Sequence, residues 1–248
     1  IGSAVWATSL NSLRVWTDPN HVTEKPGFCN AIAVVGQSVW IGESGRISLW
    51  DPEIVETFQE IKLPDPKLIP LCLKCIDDGQ FVWSADSDQK IRVYKQTGEF
   101  IKEIAPGHRK CKCITQVGPR VWTGHDDSTI CVFDSQTASF ITTIQSGNKD
   151  LVGIFSLESV GRTVWSCSRD GSIRIWDAET MALRETVKEY HSDAVCFSYL
   201  LWNKDLRQWQ MWTSSYDGSV CIWLVNTSKA GLLGGPMISA VRHIRSRS

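Results

Sequence analysis

Four aspartates recur at matching places along this chain of 248 residues, and recurring carboxylates can act as general acids, general bases or metal ligands. They are Asp88, Asp127, Asp170 and Asp217. His108 and His191 could serve as bases in the same chemistry. His125 adjoins Asp126 and Asp127, and an imidazole beside carboxylates is a common set of metal ligands.

The repetition itself argues against catalysis, because a catalytic carboxylate is rarely copied once per structural unit, whereas a residue that braces a turn must be. We therefore interpret the four aspartates, His108 and His191 as structural braces. His125, Asp126 and Asp127 are expected to share one exposed turn. No nucleophile elbow, phosphate loop, HExxH motif or dinucleotide fingerprint occurs. The sequence thus predicts a domain without catalytic residues, cofactor or metal.

The nine cysteines are an odd number, which excludes complete internal pairing. Cys72 and Cys75 have CxxC spacing, but a structural zinc site needs a second matched pair, which Cys111 and Cys113 do not supply. Most cysteines lie in apolar, strand-like runs, where a free thiol packs as a small hydrophobe. This usage favours a reducing, cytoplasmic location.

A repeat dominates the chain. An apolar residue followed by tryptophan recurs six times, with spacings of 34, 43, 39, 43 and 47 residues between the tryptophans. Each pair is followed by a polar turn and an alternating strand that ends in an aromatic residue. The six copies read VWATSLNSLRVW, VWIGESGRISLW, VWSADSDQKIRVY, VWTGHDDSTICVF, VWSCSRDGSIRIW and MWTSSYDGSVCIW. A tryptophan at one shared position predicts packing between neighbouring units; stacking on a ligand is the alternative.

Two more strands flank most copies. The strands predicted after the closing aromatic are 57–61, 100–104, 140–144 and 183–187, and those predicted before the tryptophan are 31–35, 71–76, 113–117, 153–157 and 195–200. Asp170-Gly171 and Asp217-Gly218 favour hairpin turns, since glycine tolerates a positive φ. Four strands in about 40 residues is the period of a propeller blade.

These motifs resemble the WD-repeat family over nearly the whole chain, most closely in SCSRDGSIRIWD and TSSYDGSVCIW. The resemblance implies a β-propeller in which a His, a Ser or Thr, the turn Asp and the Trp form a buried hydrogen-bonded set. In the sixth copy the matching residues are His191, Thr213, Asp217 and Trp223. The fourth copy offers His108, Thr123 and Asp127 with Phe133 replacing Trp, and the fifth offers Ser166, Asp170 and Trp176 with Asn148 in the His position. The first two copies lack the turn Asp.

The predicted architecture is all-β, a propeller of six four-stranded antiparallel blades formed by residues 1–248 as a single domain. A truncated seven-bladed propeller is the alternative. The first copy lacks a leading strand, and residues 237–244 are predicted to supply it by pairing beside the first strand. A first residue of Ile rather than Met suggests that the chain is a fragment of a larger multidomain protein.

Charge limits the partners. Lys plus Arg is 26 and Asp plus Glu is 27, so bulk attraction to nucleic acid or to an anionic membrane is disfavoured. The resemblance implies a non-catalytic docking scaffold for proteins or peptides in a cytosolic signalling or trafficking protein. A propeller that binds phosphoinositide headgroups and an accessory domain of an inositol-phosphate phosphatase, GTPase exchange factor or kinase are the alternatives.

Family members usually bind partners on the face that carries the turns between the second and third strands and the loops entering each blade. The resemblance therefore implies contact residues just before the turn aspartates, namely Ser87, Asp126, Arg169 and Tyr216. The entering loops add Arg109, Lys149 and Ser192. Arg169 and Tyr216 lead this set, because Arg and Tyr are frequent binding hot spots.

Overall fold

The computed structural model describes residues 5–8, 12–18, 21–26, 29–107, 110–147, 153–225 and 238–245. Within these ranges every regular element is a β-strand except one 3-10 turn, Asp77–Gly79. The strands form six antiparallel sheets that follow one another along the chain. This is the strand arrangement of a six-bladed β-propeller, so the predicted all-β fold class is confirmed.

In the first three sheets the predicted strands fall close to their expected positions, and β3 is a strand that was not predicted. Sheet 1 contains β1 (Val5–Thr8), β2 (Ser12–Asp18) and β3 (His21–Pro26). Sheet 2 contains β4 (Cys29–Val35), β5 (Ser38–Glu43), β6 (Arg46–Asp51) and β7 (Glu56–Lys62). Sheet 3 contains β8 (Pro70–Ile76), β9 (Phe81–Asp86), β10 (Ile91–Lys95) and β11 (Phe100–Ile104).

The remaining three sheets repeat the four-stranded pattern. Sheet 4 contains β12 (Cys111–Val117), β13 (Arg120–His125), β14 (Thr129–Asp134) and β15 (Phe140–Gln145). Sheet 5 contains β16 (Ile154–Val160), β17 (Thr163–Ser168), β18 (Ile173–Asp177) and β19 (Leu183–Val187). Sheet 6 contains β20 (Val195–Asn203), β21 (Gln208–Ser215), β22 (Ser219–Val225) and β23 (Ile238–Arg245).

The last strand corrects one prediction. β23 pairs with β22, with Val241 opposite Trp223, and is therefore the fourth strand of sheet 6 rather than a neighbour of β1. A third strand without a neighbour on its outer side would leave N–H and C=O groups unpaired. In sheets 2 to 5 the next strand along the chain pairs with this edge, and β23 does the same in sheet 6. Among the described residues sheet 1 has three strands.

The chain divides into two compact units, residues 1–114 and residues 115–248, and the boundary falls within β12. In the first unit Trp6 meets Trp50 edge-on at 6.1 Å between ring centroids, and Trp40 lies 6.3 Å from Tyr94. In the second unit Trp165 meets Trp223 edge-on at 6.4 Å. Trp40 and Trp165 lie on the second strands of sheets 2 and 5, Trp6 lies on the first described strand of sheet 1, and each contacts the third strand of the next sheet.

The repeated tryptophan is thus a residue of the core between sheets. Its side chain is fully buried in four copies, Trp40, Trp83, Trp122 and Trp165. Trp165 belongs to a cluster that also contains Ile175, Val195, Met211 and Trp223. The last copy differs, because Trp212 is 36% exposed.

This difference predicts unequal costs for one substitution at two matching positions. Trp165→Ala is expected to lower the free energy of unfolding by about 3–5 kcal/mol, because it leaves a cavity in a packed core. Trp212→Ala is expected to cost about 1 kcal/mol or less, since its ring is already partly in water. Urea unfolding of both variants measures the two values, and equal losses would contradict the assignment of Trp165 to the core.

Candidate functional site

In sheet 6 the side chains matched to the family's set form one chain of hydrogen bonds. The indole Nε1 of Trp223 donates to the Thr213 hydroxyl at 2.8 Å, and His191 Nε2 lies 2.8 Å from the same oxygen. His191 Nδ1 lies 2.9 Å from the Ser219 hydroxyl and 3.6 Å from Asp217 Oδ2. His191, Thr213 and Trp223 are buried, so the chain of bonds is shielded from water.

Asp217 holds the turn between β21 and β22. Its Oδ1 accepts the Ser219 N–H at 2.8 Å, and its Oδ2 accepts the Ser192 N–H at 2.8 Å. Burial opposes ionisation of Asp217, but the bonds from Ser219 and Ser192 hold its pKa well below the usual range. The carboxylate is thus engaged by donors of the fold. Ser192, expected as a partner contact, contributes its N–H to this arrangement.

Sheet 5 contains the same turn with an arginine, Arg174, beside the aspartate in place of a histidine. Trp176 Nε1 donates to the Ser166 hydroxyl at 2.8 Å. Asp170 Oδ1 accepts the Ser172 N–H at 3.0 Å, and its Oδ2 accepts Arg174 Nη2 at 2.7 Å. Arg174 therefore contacts the turn carboxylate as His191 does in sheet 6, while Asn148 lies outside the described residues.

Sheet 3 contains a buried charge network that the sequence reasoning missed. Arg92, 2% exposed, donates to Asp86 Oδ2 at 2.5 Å, to Asp88 Oδ2 at 2.7 Å and to Glu103 Oε2 at 3.0 Å. The Ser84 hydroxyl donates to the other Asp86 oxygen at 2.5 Å. Burial raises the pKa of Asp86, whereas at Asp88 the hydrogen bonds and charges of Arg92 and Lys90 together outweigh burial and lower the pKa.

Sheet 4 corrects the prediction that His125 lies in an exposed turn. His125 is fully buried, and its Nε2 lies 2.9 Å from the Thr123 hydroxyl. It is the last residue of β13, and residues two apart on a strand point to the same face, so His125 follows Thr123 inward. Asp127 accepts the Thr129 N–H at 3.1 Å in the turn that follows. Phe133 cannot donate as Trp223 does.

A sequence signal for these substitutes existed. The residue two positions before the closing aromatic is Arg92 in sheet 3 and Arg174 in sheet 5, which places a cation beside the turn. The last residue of the second strand is Glu43 in sheet 2, and it accepts the Ser48 hydroxyl at 2.7 Å and Arg46 Nε at 2.8 Å. A polar residue at a strand position that is apolar in the other copies therefore indicates a different residue holding the turn.

Two of the expected contact residues, Arg169 and Tyr216, are exposed on the turns of sheets 5 and 6. Tyr216 is 72% exposed, and its ring meets Phe155 of β16 edge-on at 6.5 Å. Arg169 is exposed, and its N–H donates to the Gly153 carbonyl at 3.1 Å, two residues before Phe155. The Tyr216 N–H likewise donates to the Ala194 carbonyl at 3.1 Å. An exposed cation and an exposed ring are thus held at the same edge of neighbouring sheets.

The other expected contacts are placed differently. The Ser87 hydroxyl accepts the Ile69 N–H at 3.0 Å, so this side chain is used inside the fold. Asp126 is half-buried beside Gly153, and one of its carboxylate oxygens is buried. Arg109, Lys149 and the expected brace His108 lie outside the described residues.

Neither a metal site nor a membrane span emerges from the described part of the chain. Its His, Cys, Asp and Glu side chains form no group of three or more that could hold a metal ion. None of its helices is long and apolar enough to cross a membrane. All nine cysteines are free thiols. Burial raises the pKa of Cys72 to about 11, which leaves this thiol protonated and unreactive at neutral pH.

Comparison with known proteins supports the fold. The computationally designed Ika8 protein superposes with a TM-score of 0.65 at 18% sequence identity, covering 88% of this chain and 70% of its own. U3-55K superposes with a TM-score of 0.67 at 19% identity, covering 79% of this chain and 61% of its own. No family model matches the sequence. No curated protein matches it either.

The buried hydroxyl of Thr213 provides a test of the hydrogen-bonded chain. Thr213→Val keeps the shape but leaves the Trp223 N–H and His191 without their shared partner. Because unsatisfied buried polar groups are costly, we expect a loss of about 1–3 kcal/mol in the free energy of unfolding. Thr186→Val, on an exposed position of β19, is the control. A Thr213 variant as stable as this control would show that the bonds contribute nothing.

Asp170 predicts a dependence of stability on pH. Burial opposes its ionisation, but Arg174 and Ser172 outweigh burial and lower its pKa to about 2 from an ordinary 3.8. A carboxyl with a lowered pKa stabilises the fold above its ordinary pKa, and this contribution is lost as pH falls through the folded value. Asp170→Asn should therefore destabilise the protein at pH 7, and its difference from wild type should shrink between about pH 4 and 2. A difference that stays constant over this range, measured by urea unfolding, would contradict the pairing.

Proposed function

We propose that this chain is a non-catalytic docking domain that binds other proteins or peptides through one edge of sheets 5 and 6. This turn edge is formed by the turns that carry Arg169 and Tyr216. One observation carries the proposal: Tyr216 and Arg169 are both exposed, on turns of neighbouring sheets, while their backbone N–H groups are hydrogen-bonded within the fold. Tyr and Arg dominate binding hot spots because each combines contact area with hydrogen-bonding capacity.

Rigidity supports this function. The turn before β22 is fixed because Asp217 accepts hydrogen bonds from two backbone N–H groups. The turn before β18 is fixed because Asp170 accepts a hydrogen bond from Arg174. A surface that is already ordered loses little conformational entropy on binding. Gly171 and Gly218 adopt φ of +76° and +75°, which lets these turns close tightly without strain.

The chemistry of the braces also argues against an enzyme. The carboxylates that repeat along the chain are Asp88, Asp127, Asp170 and Asp217, and each accepts hydrogen bonds from its own turn. A general base must instead be free to accept a proton from a substrate. We place the domain in the WD-repeat class and in the cytoplasm, within a signalling or trafficking protein, as part of this proposal.

The experiment compares partners captured from a cytosolic lysate by the wild-type domain and by Arg169→Glu/Tyr216→Ala, with identification by mass spectrometry. We expect the variant to lose specific partners, because it removes the ring and reverses the charge at one edge. The control is Arg162→Glu/Tyr199→Ala, which changes two exposed residues of the same types elsewhere on sheets 5 and 6. Circular dichroism verifies that each protein is folded.

Three outcomes would contradict the proposal. If both variants retain the same partners as wild type, the turn edge of sheets 5 and 6 is not the docking surface. If even the wild-type domain captures no specific protein, docking is not its function. Loss of partners from the control alone would move the site to the surface around Tyr199.

A further inference from the structure

The hairpin between β20 and β21 is longer than its equivalents. Sheet 5 closes this hairpin at the pair Val160–Thr163, and sheet 2 closes it at Val35–Ser38. Sheet 6 continues with the cross-strand pairs Trp202–Trp209 and Asn203–Gln208 before the chain turns. This extension, residues 202–209, is named here the tryptophan hairpin, and it is the reason that the last tryptophan spacing, 47 residues, is the longest.

The tryptophan hairpin presents apolar surface to water. Trp202 is 45% exposed, Trp209 is 36% exposed, and Leu206 at the tip is 59% exposed. The two indoles meet edge-on at 5.5 Å between ring centroids. Three large apolar side chains on one projecting element mark an interaction site, because tryptophan is the residue most enriched at the centres of protein interfaces.

The tip is ordered before any partner arrives. Asn203 Oδ1 accepts the Leu206 N–H at 2.9 Å, which fixes the turn 204–207. The cross-strand indole pair holds the two strands together below the turn. A preorganised hairpin can bind a partner with little loss of conformational entropy.

Charge decides the kind of partner. The tip carries exposed Lys204 and Arg207 together with exposed Asp205, so only one positive charge is in excess. Binding to an anionic membrane requires a cluster of about 4–8 cations, because each contributes only about 1 kcal/mol. The two cations near Leu206, Lys204 and Arg207, instead fit carboxylates placed beside apolar side chains of a partner protein.

We propose that the tryptophan hairpin is a second docking element, which packs Leu206, Trp202 and Trp209 against a partner segment that combines apolar side chains with Asp or Glu. It lies at the opposite end of β21 from Tyr216, because β21 runs from Gln208 to Ser215. The element is therefore independent of the turn edge assigned above to sheets 5 and 6.

The test begins with a defined probe, a displayed library of random peptides selected on the folded wild-type domain. The selected peptides are synthesised with a fluorophore, and their affinity for the domain is measured by fluorescence anisotropy. We expect a group of peptides combining apolar residues with Asp or Glu, whose affinity falls about tenfold or more in Leu206→Glu. Lys204→Glu/Arg207→Glu should weaken the same peptides and reduce their salt dependence.

Matched controls separate this surface from general effects. Leu183→Glu changes an apolar residue that is 49% exposed on β19, and Lys67→Glu/Lys188→Glu reverses two exposed charges elsewhere. Both controls should bind the peptides as wild type does. Arg169→Glu/Tyr216→Ala should also leave peptide affinity unchanged. The tryptophan hairpin and the turn edge are therefore tested separately, and either proposal can fail while the other stands.

Three results would overturn the proposal. One is a selection that yields no peptide sensitive to Leu206→Glu. Another is binding to vesicles of equal parts phosphatidylcholine and phosphatidylserine that depends on Leu206, which would assign the hairpin to membranes. The third is dimerisation in analytical ultracentrifugation that Leu206→Glu abolishes, which would assign it to a second copy of this chain.

Discussion

The hydrogen-bonding demand of short polar turns is the constraint on which these sheets depend. Each turn between the second and third strands leaves backbone N–H groups at the edge of an apolar core, where unpaired donors are costly. In sheet 6 Asp217 accepts the Ser219 N–H of this turn and the Ser192 N–H of the entering loop, and in sheet 5 Asp170 accepts the Ser172 N–H and pairs with Arg174. In sheet 3 Asp88 accepts the Lys90 N–H, and a buried Arg92 pairs with Asp88 and Asp86. The turn N–H is thus accepted by an aspartate in each of these three sheets, and the group that contacts this aspartate varies.

This constraint also shapes the candidate docking surface. Although the Ser87 hydroxyl before Asp88 is used inside the fold, in sheets 5 and 6 the turn aspartate points toward the fold and the residue just before it projects outward. That residue is Arg169 in sheet 5 and Tyr216 in sheet 6, and both donate their N–H groups to the preceding loop. The backbone is thus anchored on both sides of a side chain that projects outward. A stable turn and a variable contact residue come from the same local arrangement.

The features that could be predicted from the sequence are those that recur in every copy or in most copies of the repeat. Strand order, the tryptophan between sheets and the turn aspartates all followed from spacing, because each copy supplies an independent instance of the same pattern. His125 was misplaced because a polar residue beside two aspartates is typical of a turn, whereas here strand alternation carries it inward behind Thr123. β23 was assigned to the wrong sheet because an edge strand has no pattern that distinguishes one open edge from another. The tryptophan hairpin was missed because it has no counterpart in the other copies.

The two proposed surfaces are linked by one rigid strand. β21 contributes Trp209 to the tryptophan hairpin, Thr213 to the buried chain of bonds, and leads directly into Tyr216. At about 3.3 Å per residue, the ends of such a strand lie roughly 25 Å apart. Because sites this distant share no side chains, substitutions at Leu206 and at Tyr216 should act additively on any partner that reaches both. A partner that contacts only one surface leaves the other open, so a single sheet can hold two proteins at a fixed separation.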